Sequence, residues 1–98
     1  MPIKTGNQRP NRRIADQANS VRRDFLQIDS RMALTFSGIA LAAGSEEKRR
    51  RTTRTARKAY DTIMRLRNDI HLTDAEKGKL DRNLQQLKSE LLRLGENF

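Results

Sequence analysis

Three stretches of the chain place apolar or small residues at alternating intervals of three and four. The first runs through Ile14, Ala18, Val21, Phe25, Ile28, Met32, Thr35 and Ile39. The second runs through Thr52, Ala56, Ala59, Ile63, Leu66 and Ile70, and the third through Leu80, Leu84, Leu87, Leu91, Leu94 and Phe98. That spacing draws one stripe down one side of an α-helix, and each stripe gains free energy only when something covers it. The pattern predicts an all-α fold, an antiparallel three-helix bundle whose three seams close on one another.

Local signals set the boundaries. Residues 1–10 hold both prolines and no periodicity, and read as a flexible basic N-terminal arm. The three-helix domain then spans residues 11–98, with helices over about 12–43, 46–71 and 74–94. The residues around Arg12 and Arg13 are expected to project beyond the packed region. Gly44 is placed to end the first helix in a left-handed conformation. Ser45 is the expected N-cap of the second, with Glu46 and Glu47 in its first turn, where exposed N–H groups favour negative charge. Thr73-Asp74-Ala75-Glu76 has the form of a capping box at the start of the third. Gly95 punctuates its end, and His71 is expected at the C-terminus of the second helix, where a partial positive charge suits the exposed carbonyls. Connections this short force neighbouring helices to run antiparallel.

Composition bounds the function. Ninety-eight residues make one domain, with no cysteine for disulfide or thiolate chemistry. The most apolar run, Met32 to Ala43, is 12 residues, too short to cross a bilayer, so a soluble cytoplasmic protein without a membrane partner is expected. A single histidine without cysteines cannot build a zinc site, and no nucleophile or base pairs with His71 by spacing. Asp24 and Asp29 lie on different sides of one helix and form no carboxylate pair. No enzyme, metal, cofactor or small-molecule ligand is implied.

Two candidates for binding remain. The net charge of +9 is uneven: residues 1–23 and residues 44–71 each carry +5, while residues 24–43 carry −1 and residues 72–98 balance. In the second helix Arg50, Arg54 and Arg57 recur at one-turn intervals and, with Lys58, form a face able to hold phosphates. Thr52, Thr53 and Thr55 lie among these arginines as possible phosphoacceptors. The other candidate is the end of the first helix, where apolar residues spread beyond one stripe. Leu34 and Leu41 lie to one side and Phe36 to the other, and Leu92 of the third helix is apolar outside its own stripe. Gly38 among small residues would let a facing helix approach closely. The sequence therefore points to a non-enzymatic helical module that binds another protein or itself through Leu34, Phe36, Leu41 and Leu92. The alternative is nucleic-acid binding through Arg50, Arg54, Arg57 and Lys58 with the N-terminal arm.

Overall fold

The computed structural model describes residues 17–98 in full, and residues 2–16 only as part of the first helix. Three α-helices follow one another: α1 (Pro2–Leu41), α2 (Glu46–Leu66) and α3 (Asp74–Arg93), with a 3₁₀ turn, Arg67–Asp69, after α2. α1 begins at Pro2 rather than near residue 12, so residues 2–10, expected as a flexible arm, continue the helix. The expected projection of the Arg12 and Arg13 side chains lies outside the described residues. Gln27 and Arg23 of α1 reach Glu76 at the start of α3, and Asn83 further along α3 reaches Ser30. α1 and α3 therefore run in the same direction with α2 opposed. The expected antiparallel three-helix bundle is the fold. Among the described residues no helix is long and apolar enough to cross a membrane.

The third seam closes as its spacing predicts: Leu80, Leu84, Leu87 and Leu91 are all buried. α2 buries Thr53, Ala56, Tyr60 and Ile63, with Ala59, Leu66 and Ile70 packed against that cluster. The first seam does not close. α1 turns inward Leu26, Ser30, Ala33, Ser37 and Ala40, each 1% exposed or less. Val21, Phe25, Ile28, Met32, Thr35 and Ile39, the stripe its spacing selects, face outward. At about 100° per residue the two faces lie roughly a third of a turn apart.

The inward face is built for close approach rather than bulk. Small residues let neighbouring backbones come near, and the buried hydroxyls cost little because each has a partner. Ser37 Oγ donates to the Leu34 carbonyl at 2.9 Å. Ser30 Oγ donates to the Gln27 carbonyl at 2.9 Å and accepts from Asn83 Nδ2 at 3.2 Å. Serine bonded to its own helix behaves as a slightly larger alanine, which a hydrophobicity pattern does not register.

Helix ends follow the sequence in most places. Ser45, extended at φ −132° and ψ 148°, accepts from the Lys48 N–H and caps α2. At α3 the capping box closes both ways: the Glu76 N–H donates to Thr73 Oγ1 at 3.2 Å, and the Thr73 N–H donates to Glu76 Oε1 at 2.9 Å. Hydrogen bonding to the Glu76 carboxyl from the Thr73 backbone N–H first and its side chain second, aided by nearby Arg23, holds it below its ordinary range. A lowered acid stabilises the fold at neutral pH and loses that contribution as pH falls through its folded pKa. At the far end of α3, Gly95 adopts φ +95°, its N–H donates to the Leu92 carbonyl and the Glu96 N–H to the Leu91 carbonyl. This double closure is a Schellman motif, and it needs glycine at the left-handed position.

Other expectations do not hold. Gly44 is not left-handed, since Gly95 alone among the described residues has positive φ. α1 stops earlier, at Leu41, through a tightened Ala43 N–H to Ala40 carbonyl bond, and the chain then delivers Ser45 in extended form. α2 ends at Leu66 rather than near residue 71. Arg67 there pairs with Asp81 of α3 at 3.0 Å, and Ile70 turns extended so that it and Leu72 reach the core. His71 consequently lies exposed in the connection and caps no helix. Finally, Gly38 is exposed, and a Cβ built on it would meet nothing within 4 Å, so it mediates no close approach. Gly38→Ala should stabilise the fold by about 1 kcal/mol, the helix-propensity difference. A thermal melt should show this as a rise of about 4–8 °C.

Candidate interaction surface

The outward stripe on α1 is the largest departure from an ordinary surface. Val21 is 67% exposed, Phe25 46%, Ile28 49%, Met32 51% and Ile39 38%. Single exposed apolar residues are common, but five large ones aligned along one helix face are a patch of the kind that marks an interface. Their spacing of four, three, four and seven is that of a coiled-coil seam, with Thr35 at the intervening position. The seam runs along one face of a single helix, so it suits another helix rather than a small molecule.

Charged residues border the seam on both sides. Asp24 and Arg31 sit one position before Phe25 and Met32, on one flank. Arg22 and Asp29 sit one position after Val21 and Ile28, on the other. Among the described residues none of these four belongs to an ion pair, although five such pairs exist elsewhere in the chain. Asp29 is half-buried, and burial raises its carboxyl above the ordinary range. It is an acid partly stripped of water with no cation supplied in exchange.

The residues singled out from sequence are dispersed. Leu34 and Phe36 are partly buried and pack against the core, on either side of α1's inward face. Leu41 is half-buried near the end of α1. Leu92 is 53% exposed on the solvent side of α3. The structure does not join these four into one surface. Bulk outside the expected stripe is what singles them out, while that stripe itself is expected in the core. The signal that marks the stripe as outward is the run of small residues one face over.

On α2, Arg50, Arg54 and Lys58 are exposed, and with Arg49 they line an open groove of about 870 Å³. Arg50 stands 3.6 Å from Glu46. Arg57 is engaged elsewhere. Its Nε donates to Asp61 at 3.0 Å, its Nη1 lies 3.5 Å from Glu96 and donates to the Asn97 carbonyl, and its guanidinium sits 4.0 Å over the Phe98 ring. Phe98 in turn meets Tyr60 edge-on at 5.0 Å. Arg57 thus clamps residues 96–98 onto α2, which accounts for Phe98 packing beside the third seam rather than within it. Thr52 and Thr55 hydroxyls bond back to the Lys48 and Arg51 carbonyls, and Thr53 is buried. Among the described residues no cluster of three or more His, Cys, Asp or Glu could hold a metal ion.

Compared with known proteins, the chain matches no family model, no curated protein and no solved structure.

Proposed function

We propose that the protein is a non-enzymatic cytoplasmic interaction module that binds a partner helix along the outward face of α1. The observation that supports this reading is the seam Val21, Phe25, Ile28, Met32 and Ile39, standing in water on a helix whose separate inward face already holds the bundle together. A fold that needed only stability would have placed these side chains inward. Keeping them outward leaves several kilocalories of burial unclaimed, at about 1.5–3 kcal/mol for each large apolar side chain fully covered. The basic face of α2 supports nucleic-acid binding less strongly. One of its four candidate residues is tied to an internal clamp, and the aromatic beside it, Phe98, 47% exposed, already carries the Arg57 guanidinium over its ring rather than standing free for base stacking.

The test is a photo-crosslinking residue placed at position 28 in the native cell, with the same residue at Gln85, exposed on α3, as control. An adduct at position 28 that disappears in the Phe25→Glu/Met32→Glu chain is the expected result. The double variant should keep its helicity, because neither ring nor thioether belongs to the core. No adduct above the Gln85 control would overturn the reading.

A further inference from the structure

We infer that the partner is a second copy of this chain, with the two α1 helices packed antiparallel about a two-fold axis. The inference rests on α1's outward face being an interface. What selects the occupant is the order of charges along the seam's two flanks.

In an antiparallel helix pair the residues preceding one layer of the seam meet their counterparts on the same flank, and those following the other layer meet on the opposite flank. A two-fold axis makes every contact occur twice. Val21 set against Met32 of the second copy places Phe25 against its Ile28. In that register Asp24 faces the second copy's Arg31 on one flank, and Arg22 faces its Asp29 on the other. With the symmetry mates, four opposite-charge pairs form, using all four flanking charges and leaving none unmatched. Asp29, half-buried and in no ion pair among the described residues, gains a guanidinium.

The neighbouring arrangements fail on charge. Sliding the pair by one heptad in one direction sets Arg31 against Arg31 and Asp29 against Asp29. Sliding it in the other sets Asp24 against Asp24 and Arg22 against Arg22. A parallel pair brings Asp24 against Asp29 on both flanks. Like charges placed this way specify against a register, as they do between coiled-coil helices. One arrangement of this chain with itself is favourable in every flanking pair. The excess positive charge of α2 lies on a different helix and does not enter the seam.

Two charge-sorted chains test this by analytical ultracentrifugation at low salt. One carries Asp24→Arg/Asp29→Arg and the other Arg22→Asp/Arg31→Asp. The unaltered chain is expected to sediment as a concentration-dependent dimer. Each variant alone should associate about a hundredfold more weakly, since four weak attractions become repulsions. The equimolar mixture should recover the dimer as a heterodimer. High salt should blunt the discrimination. Circular dichroism of each variant checks that the helices persist. A monomeric unaltered chain at every concentration would overturn self-pairing, while a photo-adduct with a different protein would leave the interaction reading intact. A dimer that the Asp24→Arg/Asp29→Arg chain forms as well as the unaltered one would overturn the antiparallel register.

Discussion

Leu26→Ala should cost the fold about 2–5 kcal/mol, while Phe25→Ala, one residue earlier, should cost less than about 1 kcal/mol. Leu26 is fully buried and is the one large side chain on α1's inward face, whose other residues are serines and alanines. It fills the cluster that Ile63, Leu80 and Leu87 form, and truncating it leaves a void that small neighbours cannot relax into. Phe25 is larger, yet nearly half of it already stands in water, and its loss from a single chain opens no cavity. Domains of this size have total stabilities of about 5–15 kcal/mol, so the leucine change alone spends a large share. Urea unfolding of both variants, each run in the Arg22→Asp/Arg31→Asp background to remove any association, gives the comparison. The reverse order, with the aromatic the costlier loss, would mean that α1 buries the bulky stripe after all.

That contrast also shows where sequence reasoning succeeds. α3 is legible because its buried leucines are separated only by polar and charged side chains, so one face alone can be inside. Thr73 and Glu76 are legible because a capping box is a purely local device, complete within four residues. α1 offers two faces, and hydrophobicity ranks the wrong one first: Val, Phe, Ile and Met outscore Ser and Ala residue by residue. What decides is how closely α2 and α3 approach and whether each buried hydroxyl finds a carbonyl, and neither is local. The same limit hides Arg57, whose acidic and aromatic partners at Glu96 and Phe98 lie far along the chain. Gly44 and Gly95 look alike in sequence, but only the second follows a helix whose last turn closes as a Schellman motif. The candidate surface was therefore visible as a pattern and misassigned as to side.

Ala33→Leu/Ala40→Leu should destabilise the bundle by about 2–6 kcal/mol, although each change adds an apolar group to a helix and raises its hydrophobicity. Both alanines are 1% exposed on the inward face, and Ala56 of α2, fully buried, belongs to the same core as Ala33. A leucine there has no space unless α1 moves outward, and overpacking a filled core typically costs about 1–3 kcal/mol per site. The two positions are two helical turns apart, about 10 Å, far enough for the penalties to add approximately. Thermal melting of the double variant measures the loss. Near-ultraviolet circular dichroism of Tyr60, buried in α2, reports whether the packing has shifted. A neutral or stabilising result would mean that α1 can rotate to bury its bulky stripe, which would remove the outward seam together with any partner that depends on it. Loss of stability with retained helicity would fix α1 by the smallness of its inner residues, and that constraint is what keeps Phe25, Ile28 and Met32 facing out.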